Sequence, residues 1–227
     1  MLTQEVSKKV DKAHELDLIA KKLMIHAGLC DNLGLEYGKT GFVIFFYKYY
    51  RHTCNPVIEL FAEELLDDLF NCIKDYQYDY RQYLCGIALG IDYLIQNRYI
   101  DVDEDMMLDF DNQIMEYQIH NTNFDNGIRG AGYYILSRYR KKNCSLTEEY
   151  IRRIADLLQT VEPDNLSFFS LRQQIRNLLN GSNYFSSDII SVLLNNNMEE
   201  NANITHFGIK NGLTGVGLQL LHQIESS

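Results

Sequence analysis

The sequence predicts an all-α fold: an α/α toroid or partial toroid of about five helix-hairpin repeats of about 44 residues, forming one domain over residues 1–227. Three observations lead to this prediction. The chain has only two prolines in 227 residues, and helical chains avoid proline inside their elements. Apolar residues recur at steps of three and four along much of the chain, as in amphipathic helices. A glycine-led apolar segment returns at a nearly constant interval.

Four segments have the apolar spacing of amphipathic helices. The first covers about 2–27, the second follows Asn55 and Pro56, the third covers 105–120 and the fourth follows Thr147. Asn55 and Thr147 are residue types that cap helix N-termini, and proline suits the first helical position. The predicted apolar stripes are Val6, Val10, Ala13, Ala20 and Ala27; Val57, Ile58, Phe61, Leu65, Leu69 and Ile73; Met106, Met107, Phe110, Ile114 and Tyr117; and Ile151, Ile154, Leu157, Leu158 and Val161.

Segments of a second kind begin with glycines and continue with apolar residues on nearly every face. Four of them align on a glycine at positions 41, 86, 130 and 215. The steps are 86 − 41 = 45, 130 − 86 = 44 and 215 − 130 = 85, so the last is close to two further periods. A copy without glycines is therefore predicted near 171–179. The recurring glycines are Gly38, Gly41, Gly86, Gly127, Gly130, Gly132, Gly212, Gly215 and Gly217.

Two concentric layers of helices satisfy both patterns. A helix that is apolar all round has to be buried on all sides, so the glycine-led helices are predicted to form an inner layer and the amphipathic helices an outer one. Glycine near a helix start costs about 1 kcal/mol relative to alanine. Its recurrence predicts that the inner helices leave no room for a Cβ and that the preceding loops need positive φ.

The motifs themselves are GIRGAGYY at 127–134 and NGLTGVGL at 211–218, with LCGIA at 84–88 and GKTGF at 38–42 as weaker copies. They resemble the lanthionine synthetase C-like family, whose repeats carry Gly-x-x-Gly-hydrophobic-Gly at the start of each inner helix. The resemblance implies a double helical barrel, complete at seven units in that family. It also implies an activity that closes thioether rings between cysteine and dehydrated serine or threonine in a precursor peptide.

The same resemblance implies a zinc ion held by two cysteines and a histidine, in a Trp-Cys-Tyr-Gly and a Cys-His-Gly motif. This chain has no tryptophan and no Cys-His pair. Cys85 precedes a repeat glycine and His206 lies shortly before the last repeat, but zinc needs at least three protein ligands. A third ligand is not evident, so the sequence predicts no metal and no other cofactor.

Polar residues at the starts of the inner helices are predicted to line the mouth of a central cavity. An acid and a base four residues apart, Asp125 and Arg129, are expected to form a local salt bridge. His206 is a residue type that serves as a general base, although no catalytic residue is assigned. The main candidates are Tyr37, Cys85, Asp125, Arg129, His206 and Asn211, with Glu36, Lys39, Tyr83, Asn126 and Lys210 beside them.

Charge and hydropathy exclude several classes of function. The formal net charge of −10 disfavours a nucleic-acid partner, and the longest uncharged apolar stretch, 42–47, is far too short to span a membrane. Five irregularly spaced cysteines and the lack of a secretory signal pattern predict free thiols in a reducing cytoplasm.

These observations favour a lanthionine synthetase C-like protein without the usual zinc site, a pseudoenzyme acting as a peptide-binding or accessory protein in peptide modification. One alternative is an active thioether-forming cyclase with an altered metal site that uses Cys85 and His206. Another is a carbohydrate-processing toroid with Glu36 and Asp125 as its carboxylate pair. The last helix has no helix after it, so the segment 218–224 is predicted to be uncovered and to support a homodimer.

Overall fold

The computed structural model describes residues 2–74, 79–102, 104–139, 144–161, 166–181, 188–195 and 206–226. Within these ranges the protein has ten α-helices, one 3-10 turn at Tyr80–Tyr83 and no strand. The all-α prediction is therefore confirmed. The helices are α1 (Leu2–Ala27), α2 (Lys39–Thr53), α3 (Pro56–Lys74), α4 (Leu84–Gln96), α5 (Glu104–Glu116), α6 (Ile128–Arg138), α7 (Glu148–Thr160), α8 (Leu166–Leu179), α9 (Ile189–Asn195) and α10 (Leu213–Glu225).

The chain divides into two compact units. Unit 1 combines the two ends of the chain, Met1–Tyr78 and Leu193–Ser227, and unit 2 is Asp79–Val192. The expectation of one domain over 1–227, and the number of repeats, stay predictions. No helix in the described ranges is long and apolar enough to cross a lipid bilayer.

In unit 1 the N-terminal and C-terminal helices pack together, and α10 also contacts α2. Leu218, Leu221 and Ile224 of α10 are buried in this arrangement. The prediction that 218–224 lies uncovered is wrong, because α1 supplies the covering helix from the other end of the chain. Gly217 fits here for the reason predicted from its register: a Cβ would lie 2.5 Å from Phe45.

The buried stripe of α1 differs from the predicted one. Ala20 and Ala27 are buried as expected, but Ala13 is exposed, and the side chains of Val6 and Val10 lie outside those that the structure describes. Larger side chains set the stripe, since burying them removes more apolar surface from water than burying alanine does. The buried residues of α1 are Leu16, Ile19, Ala20, Leu23 and Ala27.

Helix α3 begins as predicted. The side chain of Asn55 accepts a hydrogen bond of 3.0 Å from the amide of Val57, which satisfies one donor of the first turn. Val57 itself is exposed, so its place in the predicted stripe is wrong, whereas Ile58, Leu65 and Leu69 are buried. The stripe therefore begins one residue later than predicted.

Unit 2 places glycine-led and amphipathic helices side by side: α6 packs against α4, α7 and α8, and α4 packs against α5. Every residue of α4 from Leu84 to Leu94 is buried, as a helix apolar on all faces requires. Thr147 caps α7 by accepting a hydrogen bond of 3.2 Å from the amide of Tyr150. The segment near 171–179 is helical, as predicted; its assignment as a glycine-free copy of the repeat stays a prediction.

A buried ion pair ties α5 to α6. Asp111 accepts two hydrogen bonds from the guanidinium of Arg138, at 3.0 and 2.9 Å, one of 2.8 Å from Tyr134 and one of 3.0 Å from the amide of Ser145. Burial by itself would raise the pKa of the Asp111 carboxyl, but these hydrogen bonds outweigh burial and hold the pKa below its ordinary value.

Candidate functional site

Three ten-residue stretches, 32–41, 121–130 and 206–215, lead into helices α2, α6 and α10, and we call them the entry segments. In each, the amide of the eighth residue donates to the carbonyl of the first. The distances are 2.8 Å from Lys39 to Asn32, 2.9 Å from Ile128 to Asn121 and 3.0 Å from Leu213 to His206. The loop carbonyls thus satisfy amides that a helix start otherwise leaves open.

This hydrogen-bonding pattern explains the recurring glycines and corrects one expectation. Gly38, Gly127 and Gly212 have φ of −130°, −104° and −127°, so none of these glycines supplies the positive φ predicted for the loops; in the third entry segment Asn211 supplies it, with φ of 51°. A Cβ on each would instead come too close to atoms of its own entry segment, such as the carbonyl oxygen of Asn32 or of Gly208. Because these glycines have no Cβ, the rest of the entry segment can pass close to them.

The ninth residue of the entry segment differs in chemical type between the two units. In unit 1 it is Thr40 or Thr214, whose hydroxyl donates to the carbonyl of Leu33 or Phe207. In unit 2 it is Arg129, and counting back from Gly86 places Cys85 at the same register in the first turn of α4. Cys85 therefore occupies a position where the other unit has a buried structural threonine.

Cys85 does not have the environment of a reactive thiol. It is almost completely buried, and burial, followed by the negative charge of Asp125, raises the pKa of its thiol to about 12. In the metal-free protein the thiol is therefore protonated at neutral pH and shielded from solvent, so it is not placed to act as a nucleophile.

The described residues do not fit the zinc site that the resemblance implies. Among them no group of three or more histidine, cysteine, aspartate and glutamate side chains is placed to hold a metal ion. All five cysteines are free thiols.

In unit 1 the entry segments of α2 and α10 lie against each other. The amide of Lys210 donates to the carbonyl of Glu36 at 3.1 Å, and the Lys210 ammonium lies 3.3 Å from a carboxylate oxygen of Glu36. The Glu36 side chain is buried, whereas that of Lys210 is about one third exposed. The buried carboxylate of Glu36 therefore holds the Lys210 ammonium in place at the surface.

Tyr37 stands beside this pair with 40% of its surface exposed. The ring of His206 meets it edge-on, with the ring centroids 5.5 Å apart, and the Lys210 ammonium lies 6.0 Å from the Tyr37 centroid. The Nδ1 atom of His206 is buried and has no hydrogen-bond partner among the described residues. We call Glu36, Tyr37, His206 and Lys210 the tyrosine site.

The tyrosine site continues into an aromatic contact that the sequence did not reveal. Phe207 stacks on His26 at the end of α1, with centroids 3.6 Å apart. Neither residue was a candidate, because His26 lies outside every glycine motif and Phe207 belongs to no predicted helix. Aligning 206–215 with 32–41 is the sequence signal that places Phe207 in an entry segment.

The remaining candidates have mainly structural surroundings. The Arg129 guanidinium lies 4.4 Å from the ring centroid of Phe168 and 5.2 Å from that of Phe124; its salt bridge with Asp125 stays a prediction. The carbonyl of Asp125 accepts a hydrogen bond of 3.0 Å from Gly86. Asn211 takes a left-handed φ of 51°, which asparagine tolerates better than most residues.

Three further candidates lie at or just before the starts of α2, α6 and α4. Lys39 is buried and forms an ion pair with Asp68 of α3. The side-chain amide of Asn126 donates to the hydroxyl of Tyr117 at 3.2 Å. Tyr83 ends the 3-10 turn that leads into α4.

The helix pairs, the glycine-led helices and their entry segments define an α/α repeat protein. Residues 30–177, more than half of the chain, match the family model described as lanthionine synthetase C-like protein. The chain therefore belongs to this family, whose fold is an α/α toroid. No curated protein and no solved structure matches the chain.

Proposed function

We propose that this protein is a peptide-binding or accessory member of the lanthionine synthetase C-like family, acting in peptide modification without the usual zinc site. The observation that carries the proposal is the tyrosine site. An exposed ring braced by His206 and by Lys210 offers apolar surface and a cation side by side. Tyrosine is well suited to such surfaces because it supplies much contact area with few rotatable bonds.

The family and the chemistry of Cys85 support this assignment. Lanthionine synthetase C-like proteins act on peptides, so a peptide is the expected ligand class. The thiol of Cys85 is buried, so a peptide that docks at the surface does not reach it, which favours binding over a reaction that uses this thiol.

The carbohydrate alternative receives less support from the same residues. A glycosidase needs two carboxyl groups that face one cleft. Glu36 and Asp125 are both buried, and Glu36 is engaged with Lys210.

A peptide panel tests the proposal. The probes are synthetic peptides that contain cysteine together with either serine or dehydroalanine, and their binding is measured by fluorescence anisotropy. We expect binding that Tyr37→Ala weakens about tenfold or more, as expected for an aromatic contact residue. Tyr139→Ala is the matched control, since Tyr139 is similarly exposed, and it should leave binding unchanged.

The same peptides distinguish binding from catalysis. Addition of the cysteine thiol across the dehydroalanine double bond moves the S–H proton to carbon and leaves the mass unchanged, but it removes the thiol that iodoacetamide would alkylate. We expect the peptide thiol to remain alkylatable after incubation with the protein. Ring closure with one zinc per chain would contradict the proposal and favour the cyclase with an altered metal site.

A further inference from the structure

A cavity of about 620 Å³ lies in unit 2, between the end of α5 and one face of α7. This volume is typical of sites that hold a small ligand or a side chain of a peptide. Met115 of α5 and Leu157 of α7 are half-buried and supply apolar surface to it. Tyr150 is only 4% exposed and forms the floor. We call this space the α7 cavity.

Arg153 is held in the α7 cavity by two contacts. Its Nη2 atom donates a hydrogen bond of 2.8 Å to the carbonyl of Met115, and its guanidinium lies 4.9 Å from the centroid of the Tyr150 ring. A guanidinium has five N–H donors, and the carbonyl of Met115 takes one of them. The guanidinium is therefore fixed before a ligand arrives and can still donate to an acceptor of that ligand.

The hydroxyl of Tyr150 is a second donor at the same place. It is buried and has no hydrogen-bond partner among the described residues, although buried polar groups normally have one. Because the Arg153 guanidinium lies over the Tyr150 ring, an acceptor bound beside Arg153 would also lie close to this hydroxyl. The floor of the α7 cavity therefore lacks an acceptor that the described part of the chain does not supply.

Two carboxylates on one side of α7 complete the lining. Glu149 and Asp156 are seven residues apart and exposed, and neither makes an ion pair within the described ranges. Of the two arginines in the lining, Arg152 is already paired with Glu148. Two guanidinium groups against these three carboxylates leave a charge of 2 − 3 = −1, so the charges around the α7 cavity favour a cation over an anion.

We propose that the α7 cavity binds a lysine or arginine residue of a peptide ligand. This inference rests on the proposed function and specifies one residue of its ligand. The methylene stem of a basic side chain would pack on Met115 and Leu157. Its cation would lie beside the carboxylates of Glu149 and Asp156, and the main-chain carbonyl of the same residue would accept a hydrogen bond from Arg153. An acidic side chain would meet two like charges instead, so the cavity selects against it.

NMR titration of the isotope-labelled protein with three short peptides tests the assignment. The peptides have blocked ends and carry a lysine, a norleucine or a glutamate between alanines. We expect the lysine peptide to shift the amide signals of residues 147–157. The norleucine peptide keeps the apolar stem without the cation and should bind at least about threefold more weakly, and the glutamate peptide more weakly still. Equal affinity for the lysine and glutamate peptides, shifts confined to other residues, or no binding of any peptide would overturn the proposal.

A double variant locates the cation. Glu149→Gln together with Asp156→Asn should weaken binding of the lysine peptide at least about threefold, with an effect that fades at high salt, and should leave the norleucine peptide unaffected. Asp105→Asn together with Asp109→Asn is the matched control, since both residues are exposed on α5 of the same unit and the change in charge is equal. Equal losses of affinity in the two double variants would overturn the proposal. Circular dichroism checks that both remain folded, as the exposure of all four residues leads us to expect.

Further outcomes separate this inference from the proposed function and from another ligand. If the cysteine-containing peptides bind through Tyr37 but the α7 double variant leaves the lysine peptide unaffected, the cavity proposal fails alone. If the lysine peptide binds at α7 while Tyr37→Ala leaves the cysteine-containing peptides unaffected, the cavity assignment stands and the role of Tyr37 fails. Tighter binding of spermidine, with displacement of the lysine peptide, would overturn the proposal in favour of a free polyamine.

Discussion

The entry segments of the two units have the same backbone hydrogen bond but different side chains. In both, the entry segment returns its first carbonyl to the amide of its eighth residue and has glycine at the seventh position. At the ninth position unit 1 has threonine and unit 2 has arginine, and Cys85 has the equivalent place in the first turn of α4. The glycine pattern therefore indicates close packing of the backbone. Functional residues are expected among the side chains around the glycines.

Substitution of the seventh-position glycine tests whether both units depend on the same backbone arrangement. We expect this substitution to have the largest effect on the free energy of unfolding. Gly38→Ala in unit 1 and Gly127→Ala in unit 2 each force a Cβ against atoms of Asn32 or of Asn121 and Asn123. Both should lower the free energy of unfolding by about 3 kcal/mol or more, measured by urea denaturation.

Gly28→Ala is the control for this pair. A Cβ at Gly28 meets nothing within 4 Å, so the substitution should be neutral or slightly stabilising. If only one of the two glycine substitutions lowered the free energy of unfolding, the two units would not share this backbone arrangement.

The ion pairs of the two units should differ in strength. Asp111→Asn leaves Arg138 buried without its charge partner in unit 2, and we expect a loss of about 2–3 kcal/mol in urea denaturation. Lys21→Met in unit 1 removes an exposed ion pair with Asp17 on α1 and should cost less than about 1 kcal/mol. Equal losses would show that burial does not distinguish the two pairs.

The pH dependence of stability sharpens the same contrast. Because the pKa of Asp111 is lowered in the folded protein, its contribution is present above the unfolded value of about 3.9. That contribution is lost as the pH falls through the lower folded pKa. Asp111→Asn should flatten the acid side of the stability profile, and an unchanged profile would contradict the role of this carboxylate.

A smaller effect is expected at the ninth position. Thr40→Val removes the hydroxyl that donates to the carbonyl of Leu33 at 2.6 Å and should cost about 1 kcal/mol. Cys85→Thr places the unit 1 residue in unit 2 and should change the free energy of unfolding by less than about 1.5 kcal/mol. Thermal unfolding of both variants measures this, and collapse of Cys85→Thr would show that the positions are not equivalent.

The sequence predicted helices well, because periodicity and caps are local signals. Thr147 and Asn55 start helices α7 and α3 as expected. Coverage of α10 by α1 could not be predicted from local pattern, since it joins the two ends of the chain. Ala13 and Val57 were misplaced because apolar type alone does not say which neighbouring residue faces the core.

The site was predicted only in part. Tyr37, His206 and Lys210 were expected near a helix start, and the structure brings them together with Glu36. Phe207 and His26 were missed because their contact joins distant segments. The burial of Cys85 was missed because a cysteine before a repeat glycine also suits a metal ligand, and only packing distinguishes the two.

Alkylation of the cysteines by N-ethylmaleimide, followed by mass spectrometry, tests most directly whether Cys85 is a structural residue. Cys54 is exposed and Cys85 buried, so in the native protein Cys54 should react rapidly and Cys85 only on unfolding, with or without added zinc. Rapid alkylation of native Cys85 that zinc suppresses would contradict this account and identify Cys85 as a metal ligand.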